Sequence, residues 1–563
     1  MHVVLGLHGA RQLTVTHDEY WHLPVGLLNL KTGRFDYDNL NPPLVRMWAA
    51  LPLLFTSANE FTSDYQAEAT AYGDAFVRQA SLRDRDAQTN FQWFTIGRAM
   101  IVLLSAATGL VLAIWARELF GNGAAVLTAL LWSTCPNILA HGSLMTTDLG
   151  AAAFFVFTLY ATWKHAERPT WKKTILWGVI LGLAQLAKYT CVLLYPLSLA
   201  LWMIWRVRNP DVTATTWKKS VVQGVVVCGL SVAILNAGYL FHGCFSEMGS
   251  YKFQSRTFTE LSTRLGPLNR LPVPLPRDYV QGLDRQKDVM EHSHAVFLDG
   301  QWRVEGFANY YLKALLYKLP HALQLLALCA LLFLVSPGPA GRNWRTQAAI
   351  LLPAVAMLTA AGAGGMQLGI RYVLPALPFI MLFAGQAARW WSWRLFPLRT
   401  AITFALAVTM SLSLRYHPHH LAYFNELAGG PIGGRAHLLD SNLDWGQDLR
   451  GLKVWIDANP PQENFGLAYF GTFPPEALGI HYRVPPSRIP QPGWYAVSVN
   501  FVMGRPFKLR DETGMFRRTD IYEFGYFKFF EPVARIGYSI DVYHITEADV
   551  DRWRAVVQRG MSR

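Results

Sequence analysis

The sequence predicts a mainly α membrane protein: a multi-span helical bundle, interfacial helices in the first outer loop, and a soluble α/β domain at the C-terminus. Three observations carry this expectation. Apolar stretches of about 17 to 22 residues, the length that crosses a bilayer, recur along the first part of the chain. Only 16% of the 563 residues are charged and 52% are hydrophobic, whereas soluble globular chains carry about a quarter charged residues. Lys and Arg gather in alternate short loops, as orientation in a membrane demands.

Composition narrows the classes further. The 20 Trp, 23 Tyr and 32 Phe suffice for aromatic belts at both interfaces. In a soluble protein the net charge of +13 would point to nucleic acid. Here much of it lies in loops that orient the chain, so no nucleic acid is expected, and the surplus suits anionic lipid head groups. Cys135, Cys191, Cys228, Cys244 and Cys329 form no CxxC pair. They read as small core residues, not as a disulfide framework or a metal cluster.

Along the chain, residues 1–13 are apolar but too short to span. Residues 14–96 form the first outer loop, in which the apolar run 44–55 lies along the interface. Spans are expected near 97–116, 123–141, 147–164, 173–187, 189–205, 220–241, 316–335, 347–364, 372–388 and 398–414. Lys164, Arg168, Lys172 and Lys173 share one short loop, and Arg206, Arg208, Lys218 and Lys219 share another. Arg342 with Arg345, and Arg389 with Arg394 and Arg399, complete a cytoplasmic set. Residues 1–96, 242–315 and 415–563 then lie outside the cytoplasm of a multi-pass plasma (inner) membrane protein. The membrane domain is 1–414, with a second outer loop at 242–315. The tail 415–563 mixes helical stretches (444–457, 547–558) with strand candidates (465–470, 494–500, 538–545) and reads as a small α/β domain.

Chemistry-bearing residues collect on the outer side. Asp18 and Glu19 are adjacent acids that can supply a general base, a cation site, or both. Taken alone, the pair is equally a solvated helix start. His17 and His22 flank it without HExxH spacing. Asn41-Pro42-Pro43-Leu44 reads as a capped helix start, with Arg46 available to an anion. Asp148, after Thr146-Thr147, is pinned at the membrane surface by a very short connection; it either caps the next helix or takes part in a site. Lys188 and Arg371 could snorkel to head groups or converge on a phosphodiester. Tyr310, Tyr311, Lys313 and Lys318 end the second loop and could join them. In the tail, the polar stretch 440–448 reads first as a helix cap, and Gly429–Gly434 as a loop. His417-Pro418-His419-His420 carries no metal assignment.

Taken in order, Asp18-Glu19, Asn41-Pro42-Pro43-Leu44, Thr147-Asp148, Lys188 and Arg371-Tyr372 resemble the GT-C glycosyltransferases that use polyprenyl-phosphate sugars. Among these the chain looks like the protein O-mannosyltransferase and lipid A aminoarabinose transferase family. Asp444-Trp445-Gly446-Gln447-Asp448 also resembles a stretch in the outer tails of bacterial members. The resemblance implies a GT-C-like fold, a membrane-borne polyprenyl-phosphate sugar donor, and a hydroxyl acceptor on protein, lipid or glycan. It implies that Asp18 deprotonates the acceptor, that Glu19 and Asp148 position acceptor or sugar, and that Lys188 and Arg371 hold the phosphate. Asn41, Arg46, Tyr310 and Tyr372 complete the implied substrate-binding set. Two departures stand out. Relatives often carry His or Lys at Asn41, and some carry a metal-linked acid at Leu40. No metal ligands are therefore assigned, and a divalent cation is left open. The family also begins with a span before the acid pair, which implies a reading frame starting upstream of Met1. The rival readings are a transporter or flippase of a lipid-linked substrate, and a non-enzymatic assembly factor that would tolerate loss of Asp18.

Overall fold

The computed structural model describes residues 1–62, 69–83, 87–206, 217–292, 294–335, 344–390 and 396–561. Helices occupy all ten places where spans were expected. Four of the described helices are long and apolar enough to cross a membrane: Gln88–Phe120, Tyr189–Arg206, Trp217–Gly238 and Ile370–Arg389. The pair Tyr310–Lys318 and His321–Leu332, bent by 115°, makes a fifth if counted as one span.

Proline accounts for part of the difference from ten. The expected span 123–141 is Asn122–Thr134 followed by Pro136–His141, and Cys135 between them is extended. Leu319, before Pro320, is extended in the same way. Proline has no N–H to give and disfavours helix in the residue before it, so each run breaks there. Lys188 is also extended, at φ −161 and ψ 144, between Trp171–Ala187 and the turn Tyr189–Leu193. Its side chain therefore leaves a helix junction instead of a helix face.

The N-terminal segment is locked by one buried ion pair. Arg98, on Gln88–Phe120, donates Nε to Glu19 Oε1 at 2.9 Å and Nη2 to Oε2 at 2.6 Å. Its remaining donors reach the carbonyls of Ala10, Leu13 and Thr14, and so bind the open end of helix His2–Gln12 and the extended segment after it. Thr16 and the Met145 amide complete the carboxylate's bonds. Glu19 is fully buried and Arg98 nearly so.

In the tail, Phe465–Ala468 runs parallel to Gly493–Ser498. The latter pairs antiparallel with Ile540–Ile545, which pairs antiparallel with Ala534–Ile536. The three strand candidates thus fall in one four-stranded sheet. Helix Glu547–Met561 matches the second helical stretch, whereas the first begins five residues later than expected, as Leu449–Ala458. The expected loop Gly429–Gly434 instead contains a short helix, Gly430–Gly434. Gly429 and Gly430 turn through left-handed angles and Pro431 starts the turn. One apolar core runs from Leu23 and Val45 in the first loop to Leu449 and Val542 in the tail.

Removing one partner of a buried ion pair leaves the other uncompensated and costs about 3–5 kcal/mol. Glu19→Ala is therefore expected to lower the melting temperature by several degrees in a thermal-shift assay. An unchanged melting curve would refute the structural weight given to this pair.

Candidate active site

A cavity of about 660 Å³ opens where the first loop, the junction at Lys188, the start of Thr147–Glu167 and the turn at Arg371 meet. Asp18, Asn41, Asp148, Lys188, Arg371 and Tyr372 all line it. Arg371 Nη1 lies 2.7 Å from Asp18 Oδ2 and 3.8 Å from Asp148 Oδ2. Lys188 Nζ donates to Asp148 Oδ1. The Arg371 guanidinium stacks 4.4 Å from the Trp445 ring and 5.2 Å from that of Tyr372. The Lys188 ammonium sits 5.4 Å from the same tyrosine ring. Side-chain exposure is 3% for Asp148, 11% for Arg371, 16% for Lys188 and 21% for Asp18. Asp18 is thus the carboxylate that a molecule in the cavity reaches most readily.

Local structure aims these groups. Asp18 sits at the start of helix Glu19–Thr32 without making a side-chain cap, so its carboxylate is free to face Arg371. Burial alone would raise its pKa. The Arg371 guanidinium outweighs that and holds it below the usual carboxylate range. Asp18 is therefore ionised at neutral pH. Gly369, at φ 137, precedes the turn Ile370–Ala376, and the Ile370 amide donates to Asn442 Oδ1 at 3.0 Å. Thr147 Oγ1 donates to Asn41 Oδ1 at 3.0 Å, tying two walls of the cavity together.

Several expected site residues lie elsewhere. Glu19 is adjacent to Asp18 but turned away, and both its oxygens belong to Arg98. The two acids therefore cannot chelate one cation. Among the described residues no group of three or more His, Cys, Asp or Glu could hold a metal. Arg46 is buried against Asp38, with Nη1 at 2.9 Å from Oδ2 and Nη2 at 2.6 Å from the backbone oxygen, so it is not available to an anion. Tyr310 is also buried outside the cavity lining, where its hydroxyl accepts from Asn442 Nδ2 at 3.3 Å. It supports the residue that holds Ile370. Of its three neighbours, Tyr311 bonds the Met366 carbonyl, Lys313 pairs with Asp299, and Lys318 bonds the carbonyls of Leu421 and Asn442. Asn41 caps nothing: Pro43 holds the N-cap of helix Leu44–Ala50, and a tighter turn Leu51–Phe55 completes the apolar run.

The tail stretch 440–448 is more than a cap. Asp448 occupies the N-cap of Leu449–Ala458 but makes no capping bond. Its carboxylate accepts from Ser539 Oγ and Gln447 Nε2 and pairs with His419. The Trp445 and Gln447 carbonyls accept from the His17 and Thr14 amides, so the stretch forms a buried platform under Arg371 and beside Asp18. Sequence reasoning missed Trp21, His22 and Asp38, which also line the cavity. For Trp21 and His22 the signal was present. They lie three and four residues after Asp18 on a helix, hence on its side.

Over residues 94–236 the chain matches the family model described as dolichyl-phosphate-mannose-protein mannosyltransferase. The matched interval contains Thr147, Asp148 and Lys188. The chain is similar to the solved structure of ArnT from Cupriavidus metallidurans bound to undecaprenyl phosphate: 12% identity, 96% of each chain covered, TM-score 0.45. It is also similar to AglB from Archaeoglobus fulgidus in complex with an inhibitory peptide and a dolichol-phosphate: 13% identity, 92% of this chain and 74% of that one, TM-score 0.43. No curated protein matches.

Asp444 in the platform gives a measurable property. Burial pushes its carboxyl up to about 7, against the Gly446 amide, which pulls it down. From its ordinary value of 3.8 up to about 7, the folded protein keeps a proton that the unfolded chain has released. Stability therefore falls as pH rises through that window. Asp444→Asn is expected to flatten this fall in melting temperature against pH; a slope equal to wild type would overturn the assignment.

Proposed function

We propose that the protein is an integral-membrane glycosyltransferase that moves a sugar from a polyprenyl-phosphate donor to an acceptor hydroxyl with inversion, using Asp18 as general base. The observation that carries this reading is the meeting of an accessible carboxylate, Asp18, with two cations, Lys188 and Arg371, in one cavity. The family match over residues 94–236 supports the same class.

The chemistry follows from the groups present. The acceptor oxygen bonds the anomeric carbon as the bond from that carbon to the phosphate oxygen breaks, and the hydroxyl proton passes to Asp18. Attack from the face opposite the phosphate inverts the centre. Negative charge grows on the departing phosphate, where Lys188 and Arg371 stabilise it. A guanidinium carries five N–H donors. Among the described residues only Nη1 of Arg371 engages a carboxylate, which leaves Nη2 for a phosphate oxygen. Asp148 orients both cations, and Asn41 and Tyr372 shape the wall beside them. Val192, Leu193, Met357 and Ala361 form an apolar side of the same cavity that suits the isoprenoid. On this reading Glu19, Arg46 and Tyr310 position other groups and touch no substrate.

The lysine- and arginine-rich short loops support a cavity facing away from the cytoplasm. They support a catalytic membrane domain at 1–414 and an outer tail at 415–563. The acceptor is a hydroxyl on protein, lipid or glycan. A flippase for the same lipid would need the cavity but not the Asp18 carboxylate, and this separates the two readings. General-base catalysis contributes about 10²–10⁴ in rate. Purified protein incubated with radiolabelled polyprenyl-phosphate sugars is expected to transfer label, and Asp18→Asn to slow transfer by about that factor. Transfer at a wild-type rate by Asp18→Asn would end the reading.

A further inference from the structure

A second cleft, of about 520 Å³, lies in the tail and shares no lining residue with the cavity around Asp18. His419, Arg535 and Tyr538 give it polar groups, and Ile432, Pro532 and Val533 give it an apolar side. The histidine is held from beneath. Its Nδ1 is buried, 2.9 Å from Asp448 Oδ1, and Asp448 is fixed in turn by Ser539 Oγ at 2.7 Å and Gln447 Nε2 at 3.1 Å. The His419 side chain is still 29% exposed, so the edge it turns outward is the one carrying Nε2. That nitrogen has no partner among the described residues. Burial lowers the pKa of His419, but the Asp448 carboxylate outweighs it and holds it above the ordinary value. The charged ring, with an N–H facing the cleft, is therefore favoured.

Arg535 lines the same cleft. Its Nε is 3.6 Å from Asp541 Oδ1, too far for a hydrogen bond, and both oxygens of Asp541 already accept from Arg435. The terminal nitrogens of Arg535 have no partner among the described residues. His419, Arg535 and Arg435 thus face only two carboxylates, Asp448 and Asp541, which leaves one positive charge unbalanced. The turn between the last two strands is shaped to this arrangement. Gly537 and Tyr538 both have positive φ, 55 and 68, and a Cβ on Gly537 would lie 2.1 Å from the Asp448 carboxylate. A left-handed tyrosine is a strained residue that persists only where its surroundings impose it.

A guanidinium fork beside a second cationic donor is the pairing that phosphate oxygens take. We propose that this cleft binds a phosphate ester, with Arg535 and His419 Nε2 on the phosphate and the apolar side against the carbon skeleton it is joined to. Helix Phe396–Arg415, one of the expected spans, ends four residues before His419. The cleft therefore lies close to where that span would leave the bilayer, within reach of a lipid head group and of a soluble ester alike. The proposal is independent of the transferase reading.

The test uses the full-length protein in lipid nanodiscs at constant ionic strength. In one arm, discs of phosphatidylcholine alone are titrated with glycerol 3-phosphate by calorimetry. In the other, phosphatidylglycerol replaces part of the phosphatidylcholine and melting temperatures are compared. Phosphate can also enter the cavity at Arg371, so each arm is read as the difference between wild type and variant. Exposed charge pairs are weak, so Arg535→Gln and His419→Gln are each expected to weaken glycerol 3-phosphate binding about two- to fivefold. Arg552→Gln, which removes an exposed charge elsewhere on the tail, should leave it unchanged. Phosphatidylglycerol is expected to raise the melting temperature of wild type more than that of Arg535→Gln. A dependence on Arg535 in the first arm alone assigns a soluble ester, and in the second alone a lipid head group; either supports the site. Arg535→Gln matching wild type in both arms, or Arg552→Gln reproducing its loss, would overturn the proposal.

Discussion

The site depends on a guanidinium held between two carboxylates. Arg371 is 353 residues from Asp18 in sequence, yet the two lie in hydrogen-bond contact. A buried charge is tolerated only when paired and bonded. Here two acids and two cations sum to neutrality at the edge of an apolar bundle. Lysine could not replace the arginine. Only a flat fork can bond one carboxylate edgewise, approach a second, and still lie against an indole. That requirement draws in the tail, because Trp445 supplies the indole and the platform bearing it is bound to the segment that carries His17. The tail therefore backs the site, packing against Arg371 without lining the cavity.

The adjacent acids divide two tasks. Glu19 is spent on Arg98, which in turn closes the end of helix His2–Gln12 and the segment leading to Asp18. With Glu19 fixed inward, the start of the next helix is fixed too, and the side chain one residue earlier must leave in another direction. The direction of Asp18 is thus set by its neighbour's burial. The same logic applies across the cavity, where Tyr310 holds Asn442 and Asn442 holds the Ile370 amide before Arg371.

The helix order and the three tail strands were legible in the sequence, whereas Asp18, Asn41, Asp148, Lys188, Arg371 and Tyr372 came together as one set only through the family resemblance. Each of these six sits at or near an element boundary on one side of the apolar runs, but spacing alone left each with a purely structural reading. What was not legible is how candidates were used. Arg46 and Glu19 look as available as Lys188 until their partners are known. Asp38 is eight residues from Arg46, but Arg98 is 79 residues from Glu19, a distance that no local pattern spans. Breaks at Pro136 and Pro320 could be anticipated from the prolines, whereas the extended Lys188 could not. The platform at 440–448 was hidden for a different reason. Its polar residues fit a helix cap, and only the tertiary contacts of Trp445 reveal another use.

The pairing of Asp18 with Arg371 appears at first to work against catalysis. A carboxylate held below its usual pKa is ionised but is a poor proton acceptor. On the proposed reading the donor resolves this. A phosphate arriving at Arg371 and Lys188 competes for the same guanidinium and weakens its hold on Asp18, while the desolvation that raises a buried carboxylate's pKa remains. The base then strengthens only when the leaving group is in place. Without the donor, the same ion pair keeps Asp18 weakly basic, which limits proton abstraction from water or from a hydroxyl that has nothing to attack. On that reading, the pairing that holds the empty site together is also the device that couples the base to the donor.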